Sequence, residues 1–422
     1  MQDIKLIREN PDVLIKDLEK RKDTEKIKSV KKVVKLDLDW RKLKHEEDQL
    51  RSQRNTLSKQ VAELKKQKKD ASKVLAQVKN IPVKIKESEE KRKQLEQEID
   101  LILKSLPNLM HESVPYGKDD SENVSIRTWG EPVKKDFELK PHSELAESLN
   151  VADFERSAKI SGSGFYILKG KLALLNQALI RLAVDSLVSK GYNYTEVPYM
   201  LNKDAYETGV SLEDFEDVMY KIEGEDKYLI ATSEHPLLAQ FKDELFEADQ
   251  LPIKICSYSM CFRREIGSHG IDTKGLFRTH QFNKVEQVIL CKPEESYKLH
   301  EELQKNAEEL HKKLGLPYRV VNICTGDLGN FAAKKYDIET WMPRQQQYKE
   351  TCSNSNYTDY QARRANIKFK DKDKNLLVHT LNSTAIATSR IMVAILENYQ
   401  NEDGSLTIPK VLRPYMYGMK KI

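Results

Sequence analysis

Glycine is missing from the first 116 residues of this chain; the first one is Gly117. A stretch of that length without the residue that opens left-handed turns suits long helices rather than a loop-rich fold. No run of about 18 apolar residues occurs anywhere, so no membrane span is expected. The opening MQDIKLIREN has no apolar core and carries acids, so neither a secretory nor an import peptide is indicated, and a cytoplasmic protein is expected. The five cysteines (Cys256, Cys261, Cys291, Cys324, Cys352) are odd in number and form no CxxC pair. That argues against a disulfide framework and against a cysteine-rich zinc site, and fits a reducing compartment. His235, His269, His280 and His379 show no metal-ligand spacing, and no Ser/His/Asp order suggests covalent catalysis. A GxxxxGK[ST] loop and a GxGxxG loop are both absent, which removes the two commonest phosphate cradles.

What is present is charge, unevenly placed. A chain of 422 residues allows about two or three domains. Residues 1–110 hold 29 Lys+Arg against 20 Asp+Glu, and the remainder 42 against 46. Within 49–86 the count is 11 against 2. One segment is basic, not the protein, and such a block suggests a polyanionic partner or a solvated helix face.

After short helices near Asp3–Glu9 and Pro11–Lys20, a heptad pattern starts at about Lys31. It runs through Leu36, Trp40, Leu43, Glu47, Leu50, Arg54, Leu57, Val61 and Leu64. A second series follows at Val74, Val78, Ile81, Ile85, Ser88, Arg92, Leu95, Ile99, Ile102 and Leu106. Two such helices joined through KKQKKDAS predict an antiparallel coiled-coil arm over about 31–106. A turn near Lys69 sets Glu47 against Arg92, Leu50 against Ser88 and Trp40 against Ile99. The Glu47–Arg92 pair is expected to fix register rather than add much stability. Pro82 lies inside the second helix and should bend it. At about 1.5 Å per residue, an arm of ~33 residues projects roughly 50 Å. Its distal half carries Arg51, Arg54, Lys65, Lys66, Lys68, Lys69 and Lys73 with few aromatics. That favours phosphate and shape contacts with nucleic acid over base stacking. A dimerising coiled coil is the competing use.

Leu106-Pro107-Asn108 reads as a boundary, giving an arm domain over 1–107 and a second domain over 108–422. The second domain mixes strands and helices and predicts an α+β fold on an antiparallel sheet. Lys169–Lys190 is an amphipathic helix closed by Gly191. The expected strand Tyr192–Tyr199 contains Pro198, suits a sheet edge and offers a dimer surface. Helices are also expected over Glu294–Leu314 and from about Thr384 to Tyr399.

The chemistry concentrates in CFRREIGSHGIDTKGLFRTHQFNKVE, Cys261 to Glu286. Strands over Ile253–Arg264 and Leu276–Leu290 are expected, around a loop holding Gly267, Gly270 and Gly275. Period two then sorts side chains: Arg263 with Glu265, and Arg278 with His280, Phe282, Lys284 and Glu286. Such a face offers guanidinium groups for phosphates, a ring for a base, and carboxylates for an amine or hydroxyl. A bare hairpin with a solvated charged face would read the same. Three further stretches add to it. Tyr228–Glu234 ends with Thr232 and Glu234 on one face, either a polar subsite or a helix cap. Gln345–Asn356 holds Glu350 and Ser353, suited to Mg²⁺ beside phosphates or to a plain polar loop. Leu376–Arg390 passes from strand to helix through small residues and places Arg390 beside a cleft. Arg413-Pro414-Tyr415 suggests an ordered tail of no evident function. What remains is electrophile activation by charge and positioning.

These motifs together resemble the seryl-tRNA synthetases of the class II aminoacyl-tRNA synthetases, over nearly the whole chain. The arm, Gly191-Tyr192…Val197-Pro198, FRRE…HQFNKVE, Ile323–Gly329, KETCSNSN, QARRANI at 361–367 and HTLNST…SR each match a family segment. The resemblance implies an α+β protein: an N-terminal antiparallel coiled-coil arm, then a class II synthetase domain on an antiparallel sheet. It implies a cytoplasmic homodimer that joins serine to tRNA(Ser) with ATP and Mg²⁺, without zinc, and tRNA(Sec) as a further candidate. By the same resemblance Arg263 meets the ATP α-phosphate, Glu265 the adenine side and Arg278 the γ-phosphate. Phe282 stacks on adenine with Arg390 on its other face, near the γ-phosphate. Arg264, Thr279, Thr351 and Cys352 fall in the ATP segments. Glu350 and Ser353 hold metal and phosphate. Thr232, Ser233, Glu234, Glu286, Asn382 and Thr384 form the serine pocket. Arg263, Glu350 and Arg390 are the catalytic candidates. Ser383, Ala385 and Ser389 stand where the family often has glycine, Cys352 where serine is frequent, and Gly164 where arginine is frequent. A ligase that loads amino acids onto a carrier protein, and an inactive tRNA-binding paralogue, are the alternatives.

Overall fold

The computed structural model describes residues 1–132, 134–210, 216–265 and 275–422. The expected loop with Gly267, His269 and Gly270 lies outside them. The chain divides into two compact units, Met1–Pro107 and Asn108–Ile422. Among the described residues no helix is long and apolar enough to cross a membrane.

The first unit is helical: α1 (Ile4–Glu9), α2 (Pro11–Lys20), α3 (Thr24–Lys66) and α4 (Ser72–Ser105). α3 starts earlier than the heptads do. The Asp23 carboxylate accepts from the Lys26 N–H and caps it there, and the extra turns pack on the short helices. Buried Asp37 ties α3 to α1 through Arg8 at 2.6 Å, with Arg41 also bound at 2.9 Å. The expected seam residues are all buried or half-buried except Arg54. Glu47 is fully buried and meets Arg92 at 2.9 Å, the expected register pair. Arg92 also lies over the Trp40 ring, 5.7 Å from its centre. Lys68 takes a positive φ of 53° in the turn between the helices. Pro82 sits inside α4 without ending it.

The second unit is built on an eight-stranded sheet. Its strands are β1 (Val124–Trp129), β2 (Asn193–Tyr194), β3 (Ile253–Phe262), β4 (Gln281–Cys291), β5 (Tyr318–Asn322), β6 (Lys334–Met342), β7 (Gln347–Thr358) and β8 (His379–Ala387). Their spatial order is β1-β5-β6-β7-β8-β4-β3-β2. All pairs are antiparallel except β2 with β3. The helices that matter for the site are α5 (Gly170–Val188), α6 (Glu234–Ala239), α7 (Ser296–Leu314), α8 (Tyr360–Ala365) and α9 (Thr388–Asn398). Leucines of α5, Val285 and Ile289 of β4, and Ile391–Leu396 of α9 share one apolar core. From β4, Gln287 reaches α7, donating to Leu303 O at 3.1 Å. The alternate residues of β4 face the opposite side: Phe282 and Lys284 line the cleft there, and buried Glu286 lies behind Asn382, which lines it.

Several boundaries differ from those expected. β3 stops at Phe262 and β4 begins at Gln281, so Arg263, Glu265 and Arg278 flank the ladder rather than belong to it. The reason lies in side partners: His280 N–H donates to Gly164 O, and Leu276 N–H to His142 Nε2. The strand expected over 192–199 is two residues long, β2. Thr384 lies in β8, and the last helix starts four residues later, at Thr388. The stretch 345–356, left between strand and loop, is strand from Gln347.

Candidate functional site

The cleft lies on the sheet face away from α7 and has a volume of about 490 Å³, ample for a nucleotide and a small zwitterion. Backbone bonds on both sides fix its entrance. Arg263 N–H donates to His280 O at 2.9 Å, and Phe262 N–H to Ile230 O at 2.9 Å. The Arg263 guanidinium sits 5.2 Å from the Phe282 ring centre, and its Nε donates to Ala231 O at 3.4 Å. Glu265, at φ 46°, pairs with Arg278 at 3.2 Å. Gly164 has φ 79°, and a Cβ there would lie 2.3 Å from the His280 ring, so an arginine is excluded. His280 stacks on Phe165 and bonds the Tyr220 hydroxyl at 2.7 Å.

One wall is cationic and acidic together. Glu350 has 45% of its side chain exposed, and Arg390 bonds both its carbonyl (3.0 Å) and its carboxylate (3.2 Å). Burial would raise this carboxyl, but Arg390 and Lys335 overcome it and hold it down at about 2. Arg390 also lies over the Phe277 ring at 5.4 Å, so its aromatic neighbour here is Phe277 rather than Phe282. Behind Glu350, buried Asp337 pairs with Lys335 at 3.2 Å. Burial raises Asp337 despite that lysine. Ser353 lines the cleft beside them.

Two of the expected ATP-segment residues, Thr351 and Cys352, line the cleft but aim their heteroatoms away from it. Opposite Ile338 and Glu339 the ladder shifts by one residue, making Thr351 the extra residue of a bulge in β7. Its hydroxyl bonds His311 Nε2 at 3.0 Å and Thr340 at 2.7 Å, within the α7 side. The Cys352 thiol donates to Thr384 O at 2.7 Å and packs with Val320 and Ile338. Arg264 is exposed and lies outside the cleft lining, and Ser233 is fully buried and also outside it. Thr279 lines the cleft with its hydroxyl buried.

At the far end the expected polar pocket comes together. The Asn382 amide donates to Glu234 Oε2 and to Glu286 Oε1, each at 2.7 Å. Lys284 forms an ion pair with Glu286. Gln361 donates to Glu234 Oε1 at 2.9 Å. Burial and the nearby Glu286 raise Glu234 to about 7. Asn382 Oδ1 is buried without a protein partner, an acceptor open to a substrate N–H. Thr232 and Thr384 line the same end. Thr232 faces the cleft as a polar subsite residue, and its hydroxyl accepts from the Glu234 N–H at 3.2 Å; the N-cap of α6 is Ser233, which makes no side-chain cap bond. Ala385 is the extra residue of a bulge in β8, and its methyl is buried in the core. Sequence reasoning passed over Lys335, Asp337, Ser355, Tyr357 and Gln361 as site residues. For Ser355 and Tyr357 the signal was there, at period two from Ser353.

A sheet with seven consecutive antiparallel strands and this cleft carries the class II aminoacyl-tRNA synthetase core: residues 217–399 match the tRNA synthetase class II core domain (G, H, P, S and T). Residues 1–110 match the seryl-tRNA synthetase N-terminal domain. A serine–tRNA ligase of Methanoculleus marisnigri is 55% identical over 425 residues, covering 100% of both chains. The crystal structure of seryl-tRNA synthetase from Pyrococcus horikoshii complexed with ATP has a TM-score of 0.97 at 48% identity, covering 100% of this chain and 99% of that one. The cytoplasmic serine–tRNA ligase of Naegleria fowleri in complex with AMP has a TM-score of 0.93 at 35% identity, covering 100% and 98%. The chain belongs to the serine–tRNA ligase family, enzymes that form an aminoacyl-adenylate and then aminoacylate tRNA.

Proposed function

We propose that the second unit binds ATP and serine in this cleft, forms seryl-adenylate, and transfers the seryl group to tRNA(Ser), with tRNA(Sec) a further candidate. The observation that carries this is the Asn382 bridge between Glu234 and Glu286. It makes a buried, acceptor-rich end in the same cleft as the Arg263–Phe282 stack. A serine ammonium and hydroxyl suit those acceptors, and a site built to bond a hydroxyl rejects alanine by leaving polar groups unpaired. Threonine is rejected by size.

Arg263 receives the α-phosphate, Phe282 the adenine ring, Glu265 its edge, and Arg278 and Arg390 the outer phosphates. The serine carboxylate, held in line, attacks the α-phosphorus; pyrophosphate leaves with the α–β bridging oxygen. Arg263 neutralises charge that grows on the phosphorus oxygens. A ribose hydroxyl of the tRNA end then attacks the acyl carbon, and AMP leaves. The donor set at Glu350 fits a hard cation: an exposed carboxylate kept ionised, with the Ser353 hydroxyl beside it. Glu350 and Ser353 would hold Mg²⁺, which supplies neutralising charge to the phosphates. No role is assigned to zinc.

The first unit is assigned to tRNA. Arg54, Lys65, Lys66, Lys68, Lys69 and Lys73 are exposed along the distal arm. Arg51 is exposed too but already paired with Glu89 at 2.5 Å, so it serves the coil as well. A cytoplasmic homodimer is proposed on the same family grounds. Charging assays with transcripts of tRNA(Ser) and of tRNAs for other amino acids test the whole reading. Serylation confined to tRNA(Ser), or to it and tRNA(Sec), is expected; indiscriminate or absent charging contradicts it.

A further inference from the structure

The cleft holds a cation that the reaction as described does not use. Lys335 lies on β6 and lines the cleft, with 22% of its side chain exposed. The register of the sheet shows which face it takes. Lys335 pairs with Ser355 of β7, and Ser355 with Asn382 of β8. Residues paired across strands share a face, and Ser355 and Asn382 both line the cleft. Two residues further along β6, Asp337 pairs with Ser353 on the same face.

The ammonium does not stay over its own row. Its Nζ lies 3.2 Å from Asp337 Oδ2, so the side chain runs along the strand toward the row of Ser353. Asp337 is 5% exposed, a fixed anchor in the wall for a long side chain. Burial works against the charge of Lys335, but Asp337, Glu350 and Asp327 outweigh it and keep the ammonium charged. An ammonium carries three donors. The Asp337 contact engages one, which leaves donors for an anion in the cleft.

On the reading above, the anions of this cleft are the serine carboxylate, the α-phosphate and the outer phosphates. Neighbouring strands lie about 4.8 Å apart. Two such steps separate Lys335 from Asn382. An amino acid as short as serine, held at Asn382, does not span both steps and the shift along the strand. Arg263 meets the α-phosphate from the side of the Phe282 ring. A phosphate chain that reaches Ser353 and Glu350 comes to the row where the Lys335 ammonium lies.

We propose that Lys335 is a further phosphate-binding residue of the cleft and holds the leaving pyrophosphate. The inference deepens the reading above and rests on it. As the bond from the α-phosphorus to the bridging oxygen breaks, its electron pair leaves with the pyrophosphate. A Lys335 N–H donates to a non-bridging oxygen of that group, and the ammonium keeps its proton. A compact ammonium suits a phosphate oxygen as a point charge. Asp337 is then a positioning residue, which holds the ammonium in place through the 3.2 Å contact.

The test is serine-dependent pyrophosphate exchange in the full-length protein at saturating Mg²⁺, with pyrophosphate, ATP and serine varied in turn. Lys335→Met keeps most of the side chain and removes its charge. It should raise the pyrophosphate KM by about tenfold or more, as expected for a lost hydrogen bond between charged groups. The serine KM should stay within about twofold, because serine binding is not what is lost. Lys335→Arg, which keeps the charge, should recover most of the pyrophosphate affinity. Lys335→Met alone leaves Asp337 buried without its cation, so Lys335→Met with Asp337→Asn is measured beside it. That double variant should melt close to wild type and show the same pyrophosphate defect. An unchanged pyrophosphate KM in both overturns the proposal. So does a rise in serine KM alone, which would move the lysine to the serine carboxylate. A higher Mg²⁺ requirement with a normal pyrophosphate KM also overturns it, since the lysine would then only keep Glu350 ionised. If wild type itself shows no serine-dependent exchange, the serine reading fails and the inference with it; if wild type exchanges normally and the variants match it, only the inference fails.

Discussion

Glu234 and Glu286, two buried carboxylates on different elements, are joined through one amide: Asn382 donates to both at 2.7 Å. Without that donor, two carboxyl groups would face each other in a buried polar pocket. Lys284 compensates Glu286, whereas Glu234 has no ion pair and is raised by burial to about 7.

A pH dependence follows with a definite sign. Glu234 binds its proton more tightly folded than unfolded, where the ordinary value is 4.5. Its contribution to stability is therefore full below about 4.5 and is lost as pH rises through about 7. The size of that loss is about 3 kcal/mol. Urea unfolding of wild type and Glu234→Gln across this range measures it. The wild type should lose stability relative to the variant as pH rises; equal slopes would remove the burial argument.

Arg263→Ala should lower the rate of adenylate formation by about 10²–10³. The melting temperature should change little, since Arg263 lies beyond the end of its strand and is not part of the ladder. Stopped-flow measurement of single-turnover activation, beside calorimetry, checks both. A normal activation rate would remove Arg263 from the phosphate.

The arm should separate the two half-reactions. Deleting about residues 35–103 is expected to spare adenylate formation and abolish charging. Replacing Lys65, Lys66, Lys68, Lys69 and Lys73 by Ser should weaken tRNA binding and flatten its salt dependence, by about 0.7–0.9 in log–log slope per lost phosphate contact. Filter binding over a salt series measures that slope, and an unchanged slope would free these lysines from the backbone.

Glu47 and Arg92 test the register. Arg92→Met alone leaves the buried Glu47 unpaired and should destabilise the arm by about 3 kcal/mol. Glu47→Leu with Arg92→Met should restore most of the loss. Hydrogen exchange of α3 and α4 amides in the full chain reports it, and equal protection in single and double variants would mean the pair sets nothing.

The arm was largely legible because one period, repeated, fixes both the helix and its partner: Glu47 and Arg92 fell opposite each other from spacing alone. Its start at Thr24 was not, because Asp23 caps turns that carry no seam. The face formed by Phe282, Lys284 and Glu286 followed from period two. Arg263 and Arg278 line the same cleft but from beyond the strand ends, where Gly164 accepts the His280 N–H. Bulges hid part of the rest. One at Thr351 turns that hydroxyl away from the cleft, whereas Ser355 and Tyr357 stay in period with Ser353 on its wall. A register shift of one residue reverses a face, and period counting gives no sign of where it occurs.

The most direct measurement is amino-acid-dependent pyrophosphate exchange by the wild-type protein with ATP and Mg²⁺, run separately with each of the twenty amino acids. Exchange with serine, with alanine lower by about 10⁴ or more and no other amino acid active, is the expected result. Exchange that is absent, or that another amino acid supports as well as serine, would contradict the assignment of Glu234, Glu286 and Asn382 to a serine pocket.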